Sequence, residues 1–362
     1  MSFNYHQYGG YIGSTNAVIS KTGLYDIKAS QTIGDALFAF SSFTFNNGAT
    51  TGRLGPTLTA LRNNYNTATY PWINDSNFFD QGEFQGYQKF TIPSSGNYRI
   101  TARGAAGGQK SHLSYRNGTF APLGAQIVAN FTFVKGAKIQ IIVGQRGEDD
   151  NTYYPTQNSS SEGDNAAPGG GGATWVFTDT SDFSSLLIAA GGGAGGTKNT
   201  YTNANASLAS NGSGNNSQQS GSNGGENGSG GQSNNGGSSY WAGAGAGWLS
   251  DGTGGNQSTN FNYVPGNNGA EGGRSPSNNA YGGIKKSDNT NSGGNGGFGG
   301  GGGGGSDNMG TGGGAGYSGG GGGNSSTANA GGGGGGCFSS DNSATITQAS
   351  TWDHGSVLIE QL

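Results

Sequence analysis

The sequence predicts a mainly β protein, an antiparallel sandwich of jelly-roll type with an inserted region dominated by glycine. The chain has 362 residues, of which 79 are glycine, and only 10% are charged and 30% hydrophobic. Soluble domains average about a quarter charged and nearly half apolar residues. Short β-branched and aromatic runs alternate with turn residues in one part of the chain, whereas most glycines occupy another. Two kinds of structure are therefore expected in one protein.

The predicted strands lie mostly between residues 39 and 190, and several alternate apolar and polar residues as half-buried strands do. They are Phe43–Phe45, Tyr87–Ile92, Tyr98–Ala102, Gln126–Phe133, Lys138–Val143, Thr174–Phe177 and Leu186–Ala189, with a closing strand in His354–Leu362. The spacing of Leu54, Leu58 and Leu61 predicts one short helix over residues 56–64. Seven strands with regular turn signals indicate a sandwich.

Composition divides the chain into three units. Residues 1–38 are predicted to be an N-terminal attachment segment, and residues 39–190 together with 346–362 form the β-sandwich. Residues 191–345 form the inserted glycine-rich region.

Two structures are open for the glycine-rich region. A composition low in hydrophobic residues is typical of disorder, and glycine loses the most backbone entropy on folding. Unbroken clusters such as 299–305, 319–323 and 331–336, framed by strands, instead favour a lattice of extended polyglycine II helices. Such helices have three residues per turn and no internal hydrogen bonds, so neighbouring helices must satisfy one another's backbone groups.

Several blocks of the sequence occur in the order found in a known family. They are residues 43–57, Tyr98–Gly108, Ile141–Asp149, Gly169–Phe177, Leu186–Gly193, Gly296–Gly300 and His354–Val357. Together they resemble the glycine-rich ectodomain of anaplastic lymphoma kinase and leukocyte tyrosine kinase. The resemblance implies a TNF-like sandwich with an inserted bundle of polyglycine helices. Residues 9–13 and 23–27 also resemble N-terminal segments of phage tail and fibre proteins, and phage tip adhesins carry similar glycine-rich modules.

The chain is not expected to be an enzyme, because no catalytic motif occurs in a fitting context. Dense glycine makes chance matches to nucleotide-binding patterns uninformative. Glu148, Asp149 and Asp150 could bind calcium or act as a general acid, but a solvated loop is the simpler interpretation. Asp353 and His354 could suggest a dyad, although neighbours on a strand face opposite ways. Cys337 is expected to be a small buried residue, and no cofactor or metal is predicted.

Six aromatic residues of the glycine-rich region are the candidate binding residues. They are Tyr240, Trp241, Trp248, Tyr281, Phe298 and Tyr317. They either pack the region against the sandwich or form a recognition surface, because rigid aromatic side chains bind partners at low entropy cost. A Trp248→Ala variant distinguishes the two, since only a packing residue is needed for stability.

The function expected from these observations is that of a virion structural protein or adhesin, as a tail, fibre or capsid decoration. The N-terminal segment is expected to bind other virion proteins, and the glycine-rich lattice to meet a host cell-surface receptor. A net charge of −4 argues against nucleic acid as a partner, and no signal peptide or membrane span is predicted. TNF-like sandwiches suggest a homo-oligomer, with a trimer favoured. The alternative is an extracellular receptor-type ligand-binding domain.

Overall fold

The protein is mainly β, as predicted, and its two antiparallel sheets pack as a sandwich. The structure is a computed structural model. It describes residues 36–110, 121–150, 166–178, 185–197, 202–215, 222–233, 241–254, 269–286, 293–305, 310–323 and 331–362. The N-terminal segment 1–35 lies outside the described residues.

Eleven strands are described, and every pair within the two sheets is antiparallel. The first sheet has the order β1-β11-β4-β5-β10, and the second has the order β2-β3-β6-β7-β8-β9. The strands are β1 Ser42–Phe45, β2 Phe79–Gln81, β3 Tyr87–Thr91, β4 Gly96–Arg103, β5 Ala125–Phe133, β6 Lys138–Ile142, β7 Thr174–Thr178, β8 Leu186–Ala190, β9 Phe338–Ser339, β10 Thr345–Gln348 and β11 Ser356–Gln361.

The predicted helix is present as α1, Leu58–Asn64. It begins after Thr57, whose hydroxyl oxygen accepts a hydrogen bond from the amide of Ala60 at 3.2 Å and so caps the first turn. Leu61 is buried, and the Arg62 guanidinium donates to the carbonyl of Phe79 at 3.0 Å. The helix thereby covers the side of the sandwich beside β2.

A core of aromatic and branched side chains fills the space between the sheets. Its members without exposed surface include Phe45, Phe79, Phe90, Tyr98, Ile100, Ile127, Ile139, Ile141, Val176, Ile188 and Ile359. They alternate along their strands with residues of the outer faces, which is the two-residue period the sequence predicts. Burial of this surface is the main stabilising contribution to the sandwich.

The second sheet is buried on both faces, unlike the first. Its outer face consists of Tyr87, Ile142, Trp175 and Phe177, and the glycine-rich region covers it with Trp248, Ala280, Phe298 and Ala315. The Trp248 ring meets the Phe177 ring edge-on with centroids 5.3 Å apart. The molecule therefore has three layers, and the inserted region is the third.

Three strands were not predicted from the sequence. Strands β2 and β9 have only three and two residues, which is too short to show a period. Strand β10 has a Thr-Ile-Thr-Gln pattern and is the exposed edge of the first sheet, with a single apolar residue half-buried. Strand β9 lies within the range predicted for the inserted region, and we therefore use "glycine insertion" for residues 191–337.

The strand register gives the sandwich two distinct ends. At one end, strands β4, β6 and β8 finish, and Gly104, Gly144 and Gly191 follow within two residues. At the opposite end β1 begins, and the amide of Leu37 donates to the carbonyl of Pro93 at 2.9 Å. The glycines are therefore gathered at the end of the sandwich away from the first described residues.

Extended glycine segments at that end bond to one another through the backbone. In residues 312–317, successive amides donate hydrogen bonds to three different segments in turn. The same segment therefore accepts again at every third residue. The six bonds are Gly312 to Pro168, Gly313 to Gly243, Gly314 to Gly333, Ala315 to Gly171, Gly316 to Ala246 and Tyr317 to Gly336, at 2.8–3.1 Å. Each segment thus shares hydrogen bonds with three neighbours instead of the two that a strand in a sheet has. We call these mutually bonded segments the glycine network.

Close approach of backbones explains why glycine dominates the network. A Cβ atom on Gly243 would lie 1.7 Å from the carbonyl oxygen of Glu271, and one on Gly302 would lie 2.1 Å from the carbonyl oxygen of Gly243. Alanine is tolerated at positions such as Ala244 and Ala246, where the methyl group is buried. The spacing of the segments therefore depends on missing side chains.

Substituting Gly243 by alanine tests this requirement. Because the new methyl group meets a fixed backbone oxygen, we expect the free energy of unfolding to fall by about 1–3 kcal/mol. Chemical denaturation of the whole chain measures it. Gly214→Ala is the matched control, since a Cβ there has 3.5 Å to its nearest neighbour, the carbonyl oxygen of Ser222. Equal loss in both variants would contradict the argument.

Candidate functional site

The candidate aromatic residues that the structure describes are buried or half-buried. Trp248 and Phe298 are 4% and 0% exposed and pack on the outer face of the second sheet. Tyr317 is half-buried, and its ring stacks on Phe338 with centroids 4.8 Å apart. Trp241 is buried elsewhere, where it pairs in parallel with Gly269. Tyr240 lies outside the described residues.

Burial of these residues favours packing over recognition. The Phe298 ring fits closely over the main chain, because a Cβ on Gly86 would lie 2.3 Å from it and one on Gly55 2.8 Å. Both glycines have positive φ angles, +89° and +76°, which disfavour other residues independently. A recognition role for the six aromatics stays a prediction. Tyr281 is the one that lies within a cluster of charged residues.

The acidic residues after β6 fasten that loop to its neighbours. Glu148 accepts two hydrogen bonds from Asn295, at 3.1 Å from the main-chain amide and 2.8 Å from the side chain. Asp149 accepts from the amide of Gln109 at 2.7 Å and pairs with Arg146. The loop is therefore a structural junction between the sandwich and the glycine insertion.

Asp353 and His354 do not form a dyad. The Asp353 carboxylate accepts from the amide of His354 at 2.8 Å, as a turn cap does, and the His354 Nδ1 atom accepts from the amide of Arg146 at 3.0 Å. Burial lowers the pKa of His354, and the Asp353 charge opposes this. The neutral ring with its proton on Nε2 thus joins the loop before β11 to the loop after β6.

Cys337 is buried, as predicted. Its Sγ atom accepts a hydrogen bond from the amide of Gly191 at 3.5 Å, and burial raises the pKa of the thiol to about 12. Since the thiolate is the reactive form of cysteine, this residue is inert.

A cluster of charged residues surrounds Tyr281 where the loop after β1 crosses the glycine insertion. The Nε atom of Arg53 donates to the carbonyl of Gly282 at 2.9 Å, and its guanidinium carbon lies 5.8 Å from the centroid of the Tyr281 ring. The main chain is paired there too, since Gly282 donates to the carbonyl of Arg53, and Arg274 donates to that of Tyr281. The cluster is thus built on fixed backbone.

Glu271 completes the cluster with an unusual carboxylate. Both of its oxygens are closed off from solvent and accept no hydrogen bond from a described residue. Burial raises the pKa of Glu271, although the Ile284 backbone amide, Arg53 and Arg274 favour the ionised form. We call Arg53, Glu271, Arg274 and Tyr281 the Tyr281 cluster.

Of this cluster, sequence reasoning found only Tyr281. Arg53 precedes a helix in the sandwich, whereas Glu271 and Arg274 lie more than 200 positions away in the glycine insertion. No spacing or motif relates residues so far apart. The one available signal is that these charges are rare within a region made of Gly, Ser and Asn.

Two further findings limit the chemistry of the described part of the chain. No group of three or more His, Cys, Asp or Glu residues there is arranged to hold a metal ion. In the same residues no helix is long and apolar enough to cross a bilayer.

Comparison with known proteins gives a partial relationship. A stretch of 109 residues is 33% identical to the leukocyte tyrosine kinase receptor of Mus musculus. The match covers 30% of this chain and 11% of the receptor, so the chain spans about a tenth of that relative. No protein-family model matches the chain. The similarity supports a relationship between parts of the two proteins and leaves function to be argued from the structure.

Truncation of Trp248 tests whether the insertion aromatics are packing residues. We expect Trp248→Ala to lower the free energy of unfolding by about 3–5 kcal/mol, because it removes the buried contact with Phe177 and leaves a cavity. Thermal or chemical denaturation measures it. Its neighbour Leu249 is 65% exposed, so Leu249→Ala is the control and should change little. Native stability of Trp248→Ala would restore the recognition interpretation.

Replacing Glu271 by glutamine tests the buried carboxylate. A folded-state pKa above the ordinary 4.5 means that ionisation costs stability as the pH rises through the folded pKa. We therefore expect Glu271→Gln to be more stable than the parent at neutral pH and to lose that advantage in acid. Denaturation across this pH range measures the difference. Glu226→Gln, at an exposed position in the same insertion, is the control; the same profile there would refute the assignment.

Proposed function

We propose that the chain is a non-enzymatic attachment module that is fixed through its N-terminal side and displays the glycine network to a partner. In the finer form of the proposal it is a virion structural protein or adhesin on the particle surface. Other virion proteins hold residues 1–38, and a host cell-surface receptor meets the glycine network. Neither nucleic acid nor membrane insertion belongs to this function.

The polarity of the sandwich is the observation that carries the proposal. The first described residues enter beside Pro93, whereas β4, β6 and β8 all lead into the glycine network at the other end. A chain anchored by its N-terminal side therefore presents this network outward. The two ends are separated by the strands, which are rigid, so attachment and recognition do not compete for one surface.

The glycine network supports a display role because it resembles a bundle of polyglycine II helices. Acceptors that recur every third residue are what such helices require, since their backbone groups point in three directions. A bundle of this kind resists bending because each rod is bonded on several sides. It offers a stiff support for recognition with few side chains.

A non-enzymatic role fits the state of the residues that could carry chemistry. The His354 Nδ1 atom is occupied by the Arg146 amide, and Cys337 is a buried thiol. The carboxylates of Glu148 and Asp149 are held in loop hydrogen bonds. Each of these groups has a structural task.

One observation favours a second function. Part of the chain is similar to a protein named as a receptor, the leukocyte tyrosine kinase receptor of Mus musculus. A receptor-type ligand-binding domain at a cell surface would have the same orientation. Its N-terminal side would face the cell instead of a particle, and the glycine network would face outward. Either assembly accommodates a homo-oligomer, for which we retain the trimer suggested by TNF-like sandwiches.

Localisation separates the two functions. With an antibody against the native chain, we expect immunogold labelling of purified particles, and release of the protein when residues 1–35 are deleted. The deleted chain must melt as the full chain does, which controls for unfolding. Label on cell membranes and none on particles would reject the virion assignment and favour the receptor-type domain.

A further inference from the structure

Strand β10 has unpaired backbone groups at the edge of the first sheet. In an antiparallel pair, successive residues of a strand point their amides and carbonyls alternately toward and away from the neighbouring strand. Ala349, directly after β10, donates to the carbonyl of Gly124 at 2.9 Å, so in the observed register Thr345 and Thr347 are the residues that bond to β5. The amides and carbonyls of Ile346 and Gln348 therefore point away from the sheet, and no described residue bonds to them.

The other edge strands of the described chain are covered or very short, which is how proteins commonly protect edges. Directly after β1, the Asn46 amide donates to the Tyr65 hydroxyl at 3.0 Å, and the Asn46 carbonyl accepts from the Gln88 side chain at 2.8 Å. The Arg62 guanidinium of α1 occupies the carbonyl of Phe79 in β2. Strand β9 has two residues. Strand β10 has four residues with no proline, charge or register shift, so its edge is open.

The open edge of β10 is complementary to itself. When a second copy approaches about a two-fold axis at Thr347, Ile346 of each copy lies opposite Gln348 of the other. Each of these two pairs can exchange two amide-to-carbonyl hydrogen bonds, so four bonds use all of the open groups. Thr347 then lies opposite Thr347 of the second copy, and such cross-strand threonine pairs stabilise sheets.

The charge and shape of this edge suit a second copy of the chain. Neither β10 nor its neighbour β5 carries a charged side chain, although the whole chain has a net charge of −4. Two copies therefore meet here without like charges directly opposite each other. Thr345 and Thr347 are exposed on the outer face of the sheet. A second copy brings an equal open strand, whereas a different partner needs an open strand of its own.

We propose that two copies of the chain associate through β10 and join their five-stranded first sheets into one continuous sheet. The contact is isologous, with the same residues on both sides of a two-fold axis. Because it has only four backbone hydrogen bonds, association is weak in dilute solution and stronger where an anchor holds several copies close together. Dimerisation of the purified chain does not depend on where the protein is located, so this proposal and the proposed function fail separately.

Substituting Thr347 by cysteine in the full chain tests the register. Two-fold pairing places the two Cα atoms about 4.5 Å apart, a distance that a disulfide spans, so we expect oxidation of Thr347→Cys with diamide to give a linked dimer on non-reducing electrophoresis. Thr345→Cys is the matched control, since it is exposed on the same face but lies about 14 Å from its counterpart and should not be linked. Cys337 is buried and contributes no background.

Sedimentation equilibrium measures the reversible association of the parent and two lysine variants. Lysines directly opposite each other repel, so we expect Thr347→Lys to weaken dimerisation about fivefold, whereas Thr345→Lys should change it little. Both positions are exposed, and both variants should melt as the parent does.

Three outcomes would overturn the proposal. The first is equal disulfide linkage at positions 345 and 347, or linkage at neither. The second is a parent that stays monomeric up to about 1 mM, which is weaker than a specific contact requires. The third is a trimeric parent without the linkage at Thr347→Cys, because a trimer has no two-fold axis that places this residue opposite itself.

Discussion

The structure depends on one constraint, that backbone amides and carbonyls taken out of water need partners. In the sandwich the strands of each sheet satisfy them in the plane of that sheet. In the glycine network the partners lie on three sides, so every segment requires several neighbours at backbone distance. That distance leaves no room for Cβ atoms, as the contact between Gly243 and the carbonyl oxygen of Glu271 demonstrates. The high glycine content is thus a consequence of this pattern of hydrogen bonding.

The sandwich provides the surface on which the network can be built. Its second sheet has an apolar outer face, and the insertion returns to it with Trp248 and Phe298. These two side chains supply hydrophobic burial that glycine lacks, and they offset part of the entropy that glycine segments lose on ordering. Trp248 and Phe298 therefore lie where the insertion meets the sheet. Their conspicuous place in the sequence reflects packing.

The charged residues act through hydrogen bonds and not through hydrophobic burial. Glu148, Asp149 and His354 are used at loops that join the sandwich to the network, where each forms hydrogen bonds with main-chain groups. The Tyr281 cluster differs because the buried Glu271 carboxylate oxygens accept no hydrogen bond from a described residue.

The sequence by itself determined the β class, α1 and eight of the strands, because the period of apolar residues and the turn residues act over short distances. It also located the glycine region between strands. Only the tertiary structure decided that Trp248 and Phe298 face the second sheet, and that Arg53 meets Tyr281 across more than 200 residues. Such contacts depend on which segments become neighbours, and a run of glycines carries no side-chain pattern that specifies its neighbour.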